Sequence, residues 1–177
     1  VRRDGTVEGL HPPSSELPFH QAIYRQRPNL HAVVHAHPPA LVSFSIARIV
    51  PDTRIIPQAR RVVGQVGYAP YALPGSEQLG ENIAAAFAEG YDAVLLENHG
   101  AVAGGDTLMD AFQRLETLDF CARTQIFSQG LGPITTLTDE QIELFDRRTE
   151  YLPEFEPLVH SSAEREQRQQ IVTMMQR

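Results

Sequence analysis

The chain contains no lysine and carries a formal charge of −7 over its 177 residues. Proteins that bind the backbone of nucleic acids need clustered lysine and arginine side chains to neutralise phosphate charges. The adjacent arginine pairs here, Arg2-Arg3, Arg60-Arg61 and Arg147-Arg148, lie far apart in the sequence, and such isolated pairs are typical of solvated or ion-paired surface residues. We therefore expect no nucleic-acid partner.

Cysteine and long apolar runs are also scarce. Cys121 is the single cysteine, so no disulfide can form within the chain, and its place in a predicted helix favours an ordinary buried thiol. There is no apolar run of eighteen residues and no basic segment followed by an apolar one, which predicts neither membrane insertion nor export. We expect a cytoplasmic protein with no membrane partner.

The length predicts one domain over residues 1–177, large enough to bury about two thirds of the surface that the unfolded chain exposes. From about residue 150 the sequence becomes polar, and Ser161 with Glu164 forms a capping-box pattern for a last helix. This helical tail is the segment that we expect to reach a neighbouring subunit or to be mobile.

Strand-like and helix-like segments alternate along the chain, which predicts an α/β layered domain. The pattern alone suggests a parallel sheet of the Rossmann type, but no G-x-G-x-x-G motif follows any strand, so nucleotide binding has no support. The expected elements are a strand at 5–10, a helix at 15–27, a strand at 30–37, a helix at 38–48, strands at 68–72, 93–97 and 101–103, and helices at 76–89, 107–128 and 138–148.

Three histidines have the spacing of a metal site. His35 and His37 belong to a strand-like segment, and residues i and i+2 of a strand project from the same face. His99 follows a second apolar run and precedes a glycine, where a strand ends and its last side chain can face a cleft. Three neutral imidazoles with an open fourth position hold catalytic zinc, whereas structural zinc sites are closed and rich in cysteine.

Glu16 lies ahead of the histidines, behind two serines that open an expected amphipathic helix. A carboxylate in the first turn is stabilised by the helix dipole, so Glu16 can be a capping charge and nothing more. A His-x-His pair on a strand also occurs without any metal. The residues alone therefore leave both a catalytic and a purely structural interpretation open.

The motifs Pro-Ser-Ser-Glu, His-Ala-His-Pro and Glu-Asn-His-Gly, in this order and at these separations, resemble the class II aldolase/adducin family. The resemblance runs from about Gly5 to Gln129, and the family includes zinc-dependent sugar-phosphate aldolases. It implies one metal centre with these roles: zinc ligands His35, His37 and His99, with Mn²⁺ or Co²⁺ as alternative metals; catalytic acid/base Glu16; and phosphate-binding Ser14 and Ser15.

The same resemblance implies a three-layer α/β/α domain with a central mixed or antiparallel sheet, and a homotetramer with active sites between subunits. The implied activity is that of a zinc-dependent lyase that cleaves a carbon–carbon bond in a small sugar-like, phosphorylated carbonyl compound through a zinc-stabilised enediolate. A sugar-acid phosphate decarboxylase, a pentose-phosphate 4-epimerase and a non-catalytic adducin-like interaction domain remain alternatives.

Two departures from the family pattern affect the substrate. The resemblance begins partway through the pattern, so a segment of several dozen residues that helps to bind phosphate in the relatives is expected to be missing. Counting back from the shared Ala69–Tyr71 segment places Ile56 where aldolases of the family carry a proton-donating tyrosine. Tyr68, Tyr71 and Tyr151 are the candidates to replace it, and each can also be an ordinary packed aromatic.

Overall fold

The computed structural model describes residue 1 and residues 6–150, with side chains to residue 147. The secondary structure comprises, in chain order, α1 (Leu17–Gln26), β1 (Ala32–Ala36), α2 (Pro39–Ala47), a 3-10 turn (Thr53–Ile55), α3 (Pro57–Val63), β2 (Val66–Ala69), α4 (Glu77–Ala88), β3 (Ala93–Leu96), β4 (Gly100–Gly105), α5 (Leu108–Gln129) and α6 (Asp139–Glu150). No helix among these residues is long and apolar enough to cross a bilayer.

The four strands form one mixed sheet in the order β1-β4-β3-β2. β4 is antiparallel to both of its neighbours, whereas β2 and β3 are parallel. Two antiparallel strands can be joined by a tight turn, and the Asn98–His99 turn joins β3 to β4 in this way. The mixed sheet confirms one of the two expected sheet types, and the parallel Rossmann-type sheet suggested by alternation alone is wrong.

Helices cover both faces of the sheet and confirm the three-layer α/β/α arrangement. On one face, α1 and α4 bury Phe19, Ile83 and Phe87 against Val94 and Val102 of the sheet. On the other face, α2, α3 and α5 form a second core, whose buried members are Ala40, Leu41, Phe44, Val63, Ala93, Leu95, Ala101, Ala103, Leu115, Leu118 and Ala122. The alternating residues of β3 and β4 therefore contribute to opposite cores, as strand geometry requires.

The contacts divide the chain into compact units of residues 1–142 and 143–177. All strands and helices up to α5 belong to the first unit, while the second is described only for residues 143–150 of α6. The expected single domain over 1–177 stays a prediction, and the polar tail with its Ser161–Glu164 capping box lies outside the described residues.

One of the predicted elements is wrong. Residues 6–10 form no strand, because they pair with no neighbouring strand among the described residues and Gly9 adopts a φ of 124° that an extended strand does not use. The wide spread of apolar residues along α5 predicts a largely buried helix, but this prediction is wrong, since Phe112, Phe120 and Phe127 are 50%, 53% and 72% exposed. Their spacing places them on the face of α5 that points away from the sheet.

The sequence did not predict α3. Ile56 occupies the N-cap position without a side-chain cap, so the usual Ser, Thr or Asp signal is absent. Tertiary contacts stabilise the helix instead, because Ala59 and Val63 are buried and the Thr53 hydroxyl donates to the Gly64 carbonyl at 2.7 Å. Ser76 caps α4 and the Thr138–Gln141 capping box opens α6, at the starting points predicted for the helices at 76–89 and 138–148.

Cys121 lies on α5 and is fully buried, which confirms the expected ordinary thiol. Burial raises the pKa of the thiol to about 11, so the reactive thiolate form is suppressed at neutral pH.

Leu118 anchors α5 to the sheet and is 0% exposed, whereas Leu108 at the start of the same helix is 69% exposed. We expect Leu118→Ala to lower the free energy of unfolding by about 2–5 kcal/mol, because it removes buried methyl groups and leaves a cavity. Leu108→Ala is the matched control and should change the unfolding free energy by less than about 0.5 kcal/mol in urea denaturation. Equal effects of the two substitutions would contradict the described packing of α5.

Candidate metal centre

β1 brings its histidines to the end of the sheet. His35 lies opposite Val102 in the antiparallel register, on the face that packs against Phe19 of α1. His37 follows the strand and meets Gly100, the first residue of β4. A Cβ atom on Gly100 would lie 2.6 Å from the Ala36 carbonyl oxygen and 2.8 Å from Cδ2 of His37. Only glycine therefore lets the His37 ring approach this closely.

His99 reaches the same point from the β3–β4 turn. The His99 N–H donates to the Leu96 carbonyl at 3.1 Å, and Asn98 adopts the left-handed conformation with a φ of 52°. The tight reversal at the end of β3 directs His99 toward the β1 histidines. Its ring centroid lies 4.9 Å from those of both His35 and His37.

Glu16 is the residue before α1 and joins the three histidines. Its Oε2 atom lies 3.3 Å from Nε2 of His35, and its Oε1 atom lies 3.1 Å from Nε2 of His99. The buried side chains of Phe19 and Ile23 fix α1 against the core and so set the position of this carboxylate. Glu16 makes no side-chain hydrogen bond that caps the helix, so a simple capping role does not explain its orientation.

The four side chains form a donor set that fits a metal ion. Nε2 of His35 and Nε2 of His37 are 2.9 Å apart, and one ligand atom from each of Glu16, His35, His37 and His99 lies within 4.8 Å of every other. Atoms bound to one tetrahedral zinc at about 2.0–2.1 Å lie roughly 3.3 Å from one another. The observed cluster is therefore close to the spacing that a single ion requires.

The electrostatics of the cluster also fit a cation. His35 donates its Nδ1–H to the Ala101 carbonyl at 3.0 Å, which leaves a lone pair on Nε2. Burial lowers the pKa of His35 to about 4, against the opposing effect of Glu16, and burial also holds the pKa of His99 below its ordinary value. Both rings are then neutral at neutral pH. Their lone pairs and the Glu16 carboxylate face one another, an arrangement that a bound cation stabilises.

Known proteins are similar to this chain in sequence and in fold. The family model described as "Class II Aldolase and Adducin N-terminal domain" matches residues 1–126. The chain belongs to the class II aldolase/adducin family. The resemblance carried by the three motifs is thus confirmed.

The named relatives include aldolases and decarboxylases. The chain is 34% identical over 162 residues to a 5-deoxy-D-ribulose 1-phosphate aldolase of Bacillus thuringiensis, covering 83% of this chain and 68% of the relative. It is 34% identical over 146 residues to a 3-oxo-tetronate 4-phosphate decarboxylase of Escherichia coli, covering 80% of this chain and 68% of the relative. Members of this family thus include both aldolases and decarboxylases.

Solved structures agree with the fold. The chain aligns with an L-fuculose 1-phosphate aldolase at a TM-score of 0.71 and 33% identity, covering 82% of this chain and 68% of that one. It aligns with the L-fuculose-1-phosphate aldolase of Thermus thermophilus at a TM-score of 0.60 and 27% identity, covering 72% and 70% of the two chains. The α/β fold with a mixed sheet is therefore that of class II aldolases.

Ser14 and Ser15 lie beside this centre, at the start of α1. Both are exposed, and the Ser14 hydroxyl accepts the Glu16 N–H at 3.2 Å. The carbonyl oxygen of Ser15 lies 3.0 Å from the position that a Cβ on Gly75 would occupy, so the loop before α4 passes close to the two serines. Their role in binding phosphate stays a prediction.

The tyrosines considered as proton donors lie in different places. Tyr68 packs against the core on the α2 and α5 side of the sheet, away from the face on which His35 contacts α1. Tyr71 is 56% exposed in the loop after β2. Tyr151 lies outside the described residues. Ile56, which the sequence predicts to stand at the position of the family tyrosine, occupies the N-cap position of α3 without capping it by its side chain.

Gly100 is a residue of the candidate site whose part in the packing the sequence alone did not reveal. The sequence marks it only as a residue that ends a strand, whereas the structure shows that its missing side chain makes space for His37. A glycine directly after a candidate ligand is the signal that could have indicated a close backbone approach.

We expect the purified protein to bind about one divalent metal ion per chain. The His35→Ala, His37→Ala double variant removes two of the four donors and should lose at least about 100-fold in zinc affinity, measured by competition with a chromogenic chelator. His31→Ala is the control, because His31 is exposed and lies outside the donor cluster. Full metal occupancy in the double variant would contradict this assignment.

Proposed function

We propose that this chain is a metal-dependent aldolase, a lyase that cleaves a carbon–carbon bond in a small hydroxylated, phosphorylated carbonyl compound. The convergence of Glu16, His35, His37 and His99 on one point is the observation that carries this proposal. The His35 and His99 imidazoles are neutral at neutral pH, which suits binding of a Lewis-acidic metal. We expect zinc, with Mn²⁺ or Co²⁺ as alternatives.

A bound divalent ion would supply Lewis-acid polarisation of substrate oxygen atoms, which stabilises negative charge that develops as the bond breaks. The residues of the chain then have separate tasks. His35 is oriented by its hydrogen bond to Ala101, and the His37 ring is seated against Gly100, so both present Nε2 atoms in a fixed arrangement. Such preorganisation is what a metal centre requires for catalysis.

Glu16 is proposed to move the proton. Its side chain is 21% exposed and lies next to two of the ligand imidazoles, so it is within reach of a substrate bound at the same point. A carboxylate there can take a proton from the substrate and return one to the product carbon. In the absence of substrate the same carboxylate can serve as a fourth metal ligand, since its oxygen belongs to the donor cluster.

Ser14 and Ser15 are proposed to bind the substrate phosphate. Their exposure and their place at the N-terminus of α1, next to Glu16, support this role. At the start of α1 the Glu16 and Leu17 N–H groups already donate to Ser14 and Pro18 has no N–H, so the two serine hydroxyls are the groups proposed to bind the phosphate. The phosphorylated substrates named for the aldolase and decarboxylase relatives agree with a phosphate site.

The absence of lysine supports a metal-dependent mechanism. Aldolases that work without a metal form a Schiff base between a lysine amine and the substrate carbonyl. None of the 177 residues is a lysine, so this chain provides no such nucleophile.

Decarboxylation is the second candidate reaction, because the decarboxylase relative is as similar to this chain as the aldolase relative. Both reactions leave negative charge next to a carbonyl group, so the same centre can serve either. The 4-epimerases of the family carry aspartate after the paired serines, where this chain has Glu16, and a non-catalytic adducin-like role does not require the complete donor set.

Glu16→Gln should preserve the fold and metal content and lower kcat by about 10²- to 10⁴-fold, the range typical of losing a general acid or base. The assay panel should contain L-fuculose 1-phosphate, 5-deoxy-D-ribulose 1-phosphate and 3-oxo-tetronate 4-phosphate, because these compounds distinguish aldol cleavage from decarboxylation. Glu77→Gln is the matched control, since Glu77 is an exposed first-turn carboxylate of α4. Unchanged turnover in Glu16→Gln would leave Glu16 as a helix-terminal charge.

We also propose that the protein is a homotetramer with active sites between subunits. The exposed phenylalanines of α5, Phe112, Phe120 and Phe127, support a subunit interface, because large apolar patches on a protein surface mark interaction sites. The prediction that the segment around Tyr151 or the helix after Ser161 lies near the metal of an adjacent subunit, and supplies a lid or the proton donor that Ile56 cannot be, concerns residues outside the described ones and stays a prediction.

Light scattering at micromolar concentration should therefore give the mass of an oligomer, and removal of residues 150–177 should lower activity. The metal content of the truncated protein is the control, because the described ligands all precede this segment. A monomer that keeps full activity after the truncation would contradict the proposal.

A further inference from the structure

Glu97 precedes the β3–β4 turn and is not part of the donor cluster. We propose that Glu97 is a positioning residue for His99: its carboxylate, held by Arg48 and by the Tyr71 N–H, fixes the turn that carries this ligand. The inference rests on the metal-binding part of the proposed function and adds a residue to which the motif comparison gave no role.

The contacts of Glu97 join three parts of the fold. One carboxylate oxygen lies 2.6 Å from Nε of Arg48, the residue after α2, and the other accepts the Tyr71 N–H at 2.9 Å. The Glu97 N–H donates to the Ala69 carbonyl at 3.0 Å, which continues the pairing of β3 with β2. With only 12% of its side chain exposed, Glu97 is a fixed point from which the turn begins.

Backbone strain is found at the same place. Within residues 6–150, the non-glycine residues with positive φ are Arg48 at 56° and Asn98 at 52°. Arg48 is the ion-pair partner of Glu97, and Asn98 is the next residue along the chain. Left-handed conformations cost free energy for residues with a side chain and persist where surrounding contacts hold them. Backbone hydrogen bonds from the Arg48 N–H to the Ser45 carbonyl and from the His99 N–H to the Leu96 carbonyl hold the two turns, and the Glu97 carboxylate adds a side-chain contact that joins them.

His99 needs such support more than His35 does. The His35 ring is oriented by its hydrogen bond to the Ala101 carbonyl, whereas Nδ1 of His99 is buried and has no hydrogen-bond partner among the described residues. Metal-binding histidines usually depend on a partner at the second ring nitrogen for their orientation. Without one, the position of the His99 ring depends on the backbone of the turn together with its contacts to Glu16 and His37.

The competing explanation is that Glu97 and Arg48 form an ordinary surface ion pair with no role at the metal centre. The Arg48 side chain is 73% exposed, and exposed ion pairs contribute little to stability. This explanation predicts that breaking the pair leaves the metal centre unchanged. The two explanations therefore differ in metal affinity and in ligand geometry, which can be measured without any substrate.

The test compares Glu97→Gln and Arg48→Gln with wild type, and uses Glu89→Gln as the control because Glu89 is exposed at the end of α4. Zinc dissociation constants come from chelator competition, and the visible absorption of the Co²⁺-loaded proteins reports ligand geometry. We expect Glu97→Gln to weaken zinc binding by about 10- to 100-fold and to change the Co²⁺ spectrum, as replacing support around a metal ligand does. Arg48→Gln should also weaken zinc binding, but by less, because the Tyr71 N–H still donates to the Glu97 carboxylate.

An unchanged zinc constant and Co²⁺ spectrum in Glu97→Gln would overturn the inference and leave the proposed function standing. If Glu97→Gln does not fold, Arg48→Gln becomes the test, because the exposed Arg48 side chain can be replaced without disturbing the core. A zinc affinity equal to that of wild type in Arg48→Gln would then overturn the inference. Wild-type protein that binds no zinc at all would overturn the proposed metal centre and this inference together. A lower unfolding temperature of the metal-free variant with unchanged zinc affinity would assign Glu97 a stabilising role alone.

Discussion

The antiparallel register of β1 against β4 is the constraint on which the metal centre depends. It sets His35 opposite Val102 and Ala36 opposite Ala101, so that the following residue, His37, meets Gly100. A slip of one residue would turn His35 to the other face of the sheet and bring a side chain into the space that His37 occupies. Because both core clusters bury the alternating residues of β4, this register is strongly specified by hydrophobic packing.

The apolar core and the polar centre are parts of one arrangement. Phe19 is buried in the core between α1 and the sheet, and its ring also contacts the His35 ring edge-on at a centroid distance of 5.2 Å. Packing of α1 therefore positions Glu16, which is three residues earlier in the chain. The same burial lowers the pKa of His35 to about 4 and keeps the imidazole neutral. Hydrophobic packing thus provides both the geometry and the protonation state that a metal ligand requires.

Local signals predicted the elements that depend on local interactions. Ser76 and the Thr138–Gln141 pair cap helices as expected, because capping involves residues only a few positions apart. The prediction failed where distant contacts decide: α3 starts at the uncapped Ile56 and is stabilised by its buried residues, and residues 6–10 find no partner strand among those described. The expected burial of α5 was wrong for the same reason, since the periodicity of apolar residues does not reveal whether another part of the fold covers an apolar face.

The sequence by itself determined which residue types can bind a metal and that His35 and His37 share one face of a strand, because strand periodicity is a local property. It also carried the three motifs that identify the family. Only the tertiary structure decided that Glu16 and His99 reach the same point, that the sheet is mixed, and that Gly100 makes room for His37. These features join residues far apart in the chain, and their distances are set by the packing of whole helices and strands, about which local patterns hold no information.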